Sequence, residues 1–309
     1  MVRRIRCFAV LAAICCFAPA ASAAPRTEHV FIISIDGGNP DVIKRSRMPV
    51  LQKLVKEGAC TWTAQTIRPV ITLPAHTSML TGLGVDKHKI TWNDWSPTNG
   101  VVRVPTVFAL AKQAGFSTAM FVGKEKFRHL LQPGTVDEFD YDRAHSLVVM
   151  KSDSGDREVR KEGNVFAKVV ARNAAKYIVK NKPDLCFIHF TDPDTVGHEF
   201  GWNSPEQLKA FADTDVALGI VQKAIRQAGI AKHSVMIITA DHGGHGRGHV
   251  QGTPDDLRIP WIAWGQGVKK HFELTTPVNT CDTAATALWL FGLELVTPLD
   301  GVVVTNAFK

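Results

Sequence analysis

Residues 29–39 read HVFIISIDGGN. The run from His29 to Ile35 is apolar and rich in branched side chains, and it stops at Asp36-Gly37-Gly38-Asn39-Pro40. A short apolar run closed by turn residues predicts a strand buried on both faces and followed by a tight loop. Residues 41–57 then carry helical periodicity through Val42, Ile43, Val50, Leu51 and Leu54, with Gly58 as the stop. The same alternation recurs downstream. Helices are predicted over 106–114, 157–180, 205–229 and 282–291, and strands over 117–123 (STAMFVG), 185–190 (LCFIHF), 234–240 (SVMIITA) and 260–265 (PWIAWG). Strands alternating with helices of these lengths predict an α/β protein with a doubly wound, mainly parallel sheet flanked by helices. Residues 124–155 are the least regular stretch and are expected to form a small lobe over the site.

The first residues stand apart from this pattern. Arg3, Arg4 and Arg6 precede an apolar run from Cys7 to Phe17, and Ala21-Ser22-Ala23 has the small side chains of a cleavage site. That layout predicts a signal peptide over 1–23, a single hydrolase domain over 24–309, and a periplasmic or secreted address. The apolar run is too short to span a bilayer comfortably, so no membrane span is expected after cleavage; an uncut N-terminal anchor is the alternative. Removing 1–23 takes away three arginines and no acid, so the formal charge falls from +7 to +4. No Lys/Arg run or aromatic–basic stripe remains to suggest a nucleic-acid groove. Three cysteines remain, Cys60, Cys186 and Cys281, an odd number without a CxxC pair; Cys186 and Cys281 read as packed thiols.

Polar residues gather where the apolar strands end, and in open α/β sheets ligands sit at the carboxyl ends of the strands. In TADHGGHGRGH (239–249), Asp241 and His242 follow a strand, and His245 and His249 follow them through a glycine-rich loop. Carboxylate and imidazole together suit zinc, with manganese or iron as alternatives; a polar surface loop is the competing reading. In TDPDTVGHEFGW (191–202), Asp194 and His198 are four apart, which puts both on one face of a helical turn. They are either ligands or a capping Asp and a solvated His. Asp36 taken alone reads as a turn or capping residue rather than a ligand. In PVITLPAHTSMLTG (69–82), Thr72 is expected as the N-cap of a helix that has Pro74 just inside it. The same position would set a hydroxyl among free backbone N–H groups, a seat for phosphate.

In this order and on these strand ends, the four motifs resemble the alkaline phosphatase superfamily. The resemblance is to its type I phosphodiesterase/nucleotide pyrophosphatase branch, which uses a threonine nucleophile, and it runs from the strand at 29–35 to Leu299-Asp300-Gly301. It implies an alkaline phosphatase-like fold and two divalent metal ions, with zinc expected. It implies Asp36, Asp241, His242 and Thr72 on one metal, and Asp194, His198 and a distal histidine on the other. His249 is the expected distal ligand and His245 the alternative. Asn93 lies 21 residues after Thr72, the interval at which the family places a phosphate-contacting Asn; a turn Asn is the other reading. Lys124 and Lys126, in VGKEKF (122–127), are similar to a K-x-K of phosphonoacetate hydrolase and of threonine-type monoesterases, where the cations meet a dianionic end group; a solvated basic loop is the alternative.

The implied activity is hydrolysis of a small phosphate ester through a phosphothreonine on Thr72. The lysines favour a dianionic end group, hence monoesters or a phosphonate, whereas the overall resemblance favours diesters or nucleotide pyrophosphates; the reading leans to monoesters. A sulfatase would need Cys or Ser where Thr72 stands. A non-catalytic metal-binding periplasmic protein is the reading from another class.

Overall fold

The computed structural model describes residues 25–152, 154–155, 158–293 and 298–309. The expected signal peptide over 1–23 lies outside the described residues. In chain order the strands are β1 (His29–Ile35), β2 (Ala59–Gln65), β3 (Thr118–Val122), β4 (Glu138–Asp140), β5 (Leu147–Lys151), β6 (Glu158–Glu162), β7 (Leu185–Phe190), β8 (Ser234–Thr239), β9 (Arg258–Gly265) and β10 (Phe272–Glu273). The helices are α1 (Pro40–Arg45), α2 (Pro49–Glu57), α3 (Thr72–Thr81), α4 (Val85–His88), α5 (Val107–Gln113), α6 (Ala167–Asn181), α7 (Asp192–Phe200), α8 (Pro205–Gln227), α9 (Pro254–Leu257) and α10 (Asp282–Leu290).

Eight strands form one sheet in the order β10-β2-β9-β8-β1-β7-β3-β4. β1 pairs in parallel with both β7 and β8, and β3 pairs in parallel with β7 and β4. β9 runs antiparallel to both its neighbours, β8 and β2. The sheet is therefore mainly parallel, as expected. β1, β3, β7 and β8 are buried along their whole length. Continuous apolar runs of this kind need cover on both faces. The helices supply it in two packing groups: α6, α7, α2 and α1 gather on α8, while α3, α5 and α10 pack together. Cys60, Cys186 and Cys281 are buried free thiols.

Three expectations are corrected. The helix over 41–57 is two helices, α1 and α2. Pro49 drives the residue before it out of the helical region, and Ser46 closes α1 by donating its hydroxyl to the Val42 carbonyl (2.8 Å). The helix over 157–180 starts only at Ala167, because Glu158–Glu162 pairs antiparallel with Leu147–Lys151 as a separate two-stranded sheet. β2 was not expected at all: ACTWTAQ is too small and polar to read as a strand, yet it pairs with β9 along the edge side of the sheet.

The parallel core decides where the site can be. β7, β1 and β8 are adjacent, so the residues that follow their carboxyl ends (Asp192 and Asp194, Asp36, and Asp241 with His242) emerge side by side. The hairpin of β5 and β6 returns to this edge through Asn164, which bridges to Lys124 just past β3.

Candidate active site

Asp36 follows β1 directly and is fully buried. The next residue, Gly37, has φ +72, and a Cβ built on it would stand 3.0 Å from the Asp194 Cα. Only glycine permits both the left-handed backbone and the close approach. Its N–H donates to Asp241 Oδ1 (3.2 Å), so the loop after β1 is stitched to the loop after β8. Asp194 and His198 both lie on α7, four residues apart, as their spacing implied.

Two groups of three side chains form here. Asp194, His198 and His249 each offer one donor atom within 4.8 Å of the others, and so do Asp36, Asp241 and His242. His245 is in neither group: its Nδ1 lies 2.8 Å from Asp256 Oδ1, away on α9. The groups adjoin. His242 and His249 stack with ring centroids 3.6 Å apart and planes 12° from parallel. Lys124 Nζ sits 2.7 Å from Asp36 Oδ2 and 2.7 Å from Asp194 Oδ2, one carboxylate of each group.

The hydrogen bonds are distributed unevenly over these carboxylates. Asp36 Oδ2 accepts from His189 Nε2 (2.8 Å) and forms an ion pair with the Lys124 ammonium, and Asp194 Oδ2 accepts from Lys124 (2.7 Å). Asp241 Oδ1 accepts from the N–H groups of Gly37 (3.2 Å) and His242 (3.0 Å). Each second oxygen (Asp36 Oδ1, Asp194 Oδ1 and Asp241 Oδ2) is buried with no hydrogen-bond partner among the described residues, and so is His242 Nε2. His242 Nδ1 donates to the Gly243 carbonyl (3.0 Å), so Nε2 presents a lone pair, 3.4 Å from Asp36 Oδ1 and 3.2 Å from Asp241 Oδ2. Three bare acceptors facing one another in a dry pocket repel, and each is costly to bury unpaired. A cation among them removes both penalties.

The other group has the same logic. His198 Nδ1 donates to the Arg247 carbonyl (3.0 Å) and His249 Nδ1 to the Val70 carbonyl (2.7 Å). Their Nε2 atoms then meet at 3.2 Å, with Asp194 Oδ1 at 3.2 and 3.7 Å. Either a proton on His198 or a metal ion must fill that gap. The Asp194 carboxylate, with Oδ1 3.2 Å from His198 Nε2, raises the His198 pKa, whereas burial, with His242 alongside, pushes His249 down to about 3. Burial also lowers His242 and, together with Asp36, raises Asp241 well above the carboxylate range. Burial would raise Asp194 as well, but Lys124 holds it well below that range. Three carboxylates with one ammonium between them leave a buried excess of negative charge. The donor sets, two Asp and one His against one Asp and two His, fit divalent ions of the zinc, manganese or iron kind.

A cavity of about 370 Å³ opens beside these groups, lined by Thr72, Asn93, Trp95, Lys126, Asp194 and His198 among others. Thr72 is not the N-cap of α3 as expected. Ile71, in extended conformation, is the cap, and Thr72 is the first helical residue. Pro74 then falls at the third helical position, where a missing N–H still costs nothing. The capping role passes to Asn93, whose Oδ1 accepts from Leu73 N–H (2.9 Å). That fixes the Asn93 amide so that its NH₂ remains as donor. Lys126 is half-buried and makes no ion pair among the described residues; burial, with Lys124 beside it, lowers its pKa to about 8.

Three supporting residues were not anticipated. His76, four residues into α3, places Nδ1 2.8 Å from the Thr72 carbonyl and 3.5 Å from Asp241 Oδ2, while Nε2 meets Ser34 Oγ at 2.7 Å. His189 lies in β7 and donates to Asp36; a lone histidine in the apolar run LCFIHF needs a buried partner, which was the signal to read. Trp202 packs edge-on to His198, stands against Gly244, and donates Nε1–H to the Gly37 carbonyl (3.3 Å).

Comparison with known proteins places this geometry. The model of the type I phosphodiesterase / nucleotide pyrophosphatase family matches residues 30–246. GPI ethanolamine phosphate transferase 1 of Gibberella zeae is 25% identical over 291 residues, covering 85% of this chain and 28% of the relative. Ectonucleotide pyrophosphatase/phosphodiesterase family member 7 of Mus musculus is 24% identical over 232 residues, covering 71% of this chain and 50% of the relative. The chain thus spans only a quarter to a half of the length of these relatives. Among solved structures, an inactive variant of murine ectonucleotide pyrophosphatase/phosphodiesterase 5 in complex with AMP superposes with TM-score 0.72 at 14% identity, covering 91% of this chain and all of that one. A phosphonate monoester hydrolase from Silicibacter pomeroyi superposes with TM-score 0.66 at 14% identity, covering 90% of this chain and 76% of that one. These two likenesses show the shared fold, and the family match covers well over half of the sequence. The chain belongs to the type I phosphodiesterase / nucleotide pyrophosphatase family.

Proposed function

We propose that the protein is a metal-dependent phosphoric-ester hydrolase that works through a phosphothreonine on Thr72, with a preference for phosphomonoesters. The observation that carries this reading is the set of bare buried donors (Asp36 Oδ1, Asp194 Oδ1, Asp241 Oδ2 and His242 Nε2) next to a cavity lined by Thr72. Asp36, Asp241, His242 and the Thr72 hydroxyl would hold one divalent ion, and Asp194, His198 and His249 the other, with zinc favoured. Such ions would lower the pKa of the hydroxyl and neutralise charge on the attacking and leaving oxygens.

The protein's own residues do the rest. Thr72 opens α3, so its oxygen lies in the positive field of that helix's first turn, which suits an attacking oxyanion and a phosphate alike. His76 fixes the Thr72 backbone against Asp241. The Thr72 hydroxyl loses its proton and its oxygen forms a bond to phosphorus, as the ester oxygen departs with its electron pair and takes up a proton to leave as the alcohol. Water then attacks the phosphothreonine, breaking the Thr72 O–P bond, releasing phosphate and giving a proton to the Thr72 oxygen. Asn93 Nδ2 donates to a non-bridging oxygen, and Lys126 meets the second negative charge of a dianionic monoester. Lys124, grouped with Lys126 by its sequence, has its ammonium held between two carboxylates.

Diester or nucleotide pyrophosphate hydrolysis is the second reading, favoured by the family match, and a phosphonate is a third substrate class suggested by the Silicibacter pomeroyi hydrolase. The basic, apolar and small-residue order of 1–23 supports export and a periplasmic or secreted address for residues 24–309. Among the described residues no helix is long and apolar enough to cross a membrane.

The test is a panel of an aryl monoester, a bis-aryl diester, a nucleotide and phosphonoacetate on metal-loaded protein, repeated with Thr72→Ala. The monoester should give the highest kcat/KM, and Thr72→Ala should lose turnover by about 10³-fold or more while retaining its metal. Undiminished turnover in Thr72→Ala would remove the threonine from the chemistry. Metal uptake without turnover on any substrate would leave a non-catalytic binding protein.

A further inference from the structure

The lysine pair in VGKEKF divides in two once its contacts are compared. Lys126 lines the cavity without an ion pair among the described residues. Lys124 is 7% exposed and points its ammonium into the gap between the loops that follow β1 and β7. Its backbone is fixed by the bridge to Asn164 and by Gly123, where any Cβ would meet the Val165 carbonyl and the Thr191 side chain at 3.0 Å. Both carboxylates it touches use Oδ2 for the contact, and in both the other oxygen, Oδ1, is buried and bare. A carboxylate is a flat two-ended acceptor. Clamping one end therefore sets the direction of the other. His189 supplies a hydrogen bond at the clamped end of Asp36.

We propose that Lys124 is a positioning residue rather than a substrate contact: its ammonium ties Asp36 and Asp194, one carboxylate from each ligand group, by their outer oxygens and so turns the inner oxygen of each toward a cation. The ammonium also offsets the negative charge of the buried Asp36 and Asp194 carboxylates, so the arrangement persists when no metal is bound. A Lys124 that served substrate would need to release its hydrogen bond to Asp194 and its ion pair with Asp36, both at 2.7 Å, to reach a phosphate. This assignment rests on the metal-site reading above only for its second half. The clamp itself is a property of the metal-free chain.

The test compares wild type, Lys124→Gln and Lys124→Arg, each after chelation and after reloading with zinc, by thermal melting, metal content and inhibition by inorganic phosphate. Without metal, Lys124→Gln should melt at least about 5 °C below wild type, because it strands two buried carboxylates. Zinc should recover most of that loss, since the added charge replaces the missing ammonium. The inhibition constant for phosphate of the loaded variant should stay within about threefold of wild type, whereas a lost substrate contact would raise it by roughly tenfold or more. Lys124→Arg should restore the metal-free melting temperature, and it carries the comparison if Lys124→Gln does not fold. Unchanged metal-free melting in Lys124→Gln, or a metal-free Lys124→Arg that melts like Lys124→Gln, would overturn the clamp. So would a tenfold loss of phosphate inhibition. Failure of the wild type to bind zinc would instead overturn the metal-site reading, and the metal-free comparison would still stand.

Discussion

Replacing Gly37 by Ala probes the site at its tightest point. The methyl group would lie 3.0 Å from the Asp194 Cα, 3.1 Å from its Cβ and 3.2 Å from its N, all on the first turn of α7 rather than on a flexible side chain. Carbon atoms in contact settle near 3.5–4.0 Å, so the start of α7 must retreat by about 0.5–1 Å. The φ of +72 adds about 1–2 kcal/mol for any side chain with a Cβ. Overpacking against backbone adds about 1–3 kcal/mol, so the stability loss should be about 2–5 kcal/mol, or roughly 5–15 °C in melting temperature. The displacement falls on Asp194, whose Oδ1 must face His198 and His249 while its Oδ2 stays on Lys124. The variant should therefore bind the second of two zinc ions more weakly by an order of magnitude or more. Differential scanning calorimetry and zinc titration by isothermal calorimetry read both effects. A Gly37→Ala protein that melts within about 2 °C of wild type and takes up two zinc ions with unchanged affinity would refute the argument that this glycine sets the spacing of the two ligand groups.

Two further predictions concern residues on either side of the site. Lys126→Gln should raise KM for an aryl monoester by about tenfold or more and leave the bis-aryl diester nearly unchanged, because only the monoester carries the second negative charge; equal losses on both substrates would dissociate Lys126 from that charge. His88 tests pH dependence away from the metal ligands. Its Nε2 faces Ser78 Oγ at 3.0 Å, its Nδ1 accepts the Ile90 N–H (3.0 Å), and burial lowers its pKa to about 4. The unfolded chain therefore takes a proton near pH 6.5 that the folded chain refuses until about pH 4, so this contribution is complete above 6.5 and declines as pH falls through that window. Asp192, raised by burial to about 7, acts in the opposite sense, so the comparison must be made against His88→Gln. The stability difference between wild type and His88→Gln, from denaturant melts, should narrow by about 1–2 kcal/mol between pH 7 and pH 4, allowing for solvent screening at the ring; a constant difference would refute the assignment.

The parts of this protein that could be read from its sequence are those in which chemistry and order along the chain coincide. β1, β7 and β8 are continuous apolar runs, and each is followed at once by the acidic residues of the site. Other features depend on pairing across the fold. β2 is recognisable only against β9, since Thr61 is buried and Trp62 half-exposed in defiance of their hydropathy. The segment Glu158–Glu162 has the charge pattern of an exposed helix and becomes a strand only because Leu147–Lys151 lies beside it. The break between α1 and α2 was legible in Pro49 and was outweighed by the periodicity on either side. In the site, the spacing of Asp194 and His198 anticipated a shared helix face, and the structure brings His249 rather than His245 to them. The employment of Lys124 was not legible, because both its carboxylates come from other strand ends. Nor was that of Trp202, whose neighbours Gly244 and Gly37 lie far from it in sequence.

The stacked rings of His242 and His249 make the two halves of the site a single mechanical object. His242 is tethered through Nδ1 to the Gly243 carbonyl and His249 to the carbonyl of Val70, two residues ahead of Thr72. Neither imidazole can swivel without sliding across its partner, so a disturbance at either ring is transmitted to the other and onward to the peptide that carries Thr72. Remodelling one half alone to accept a different ion would therefore also move the threonine.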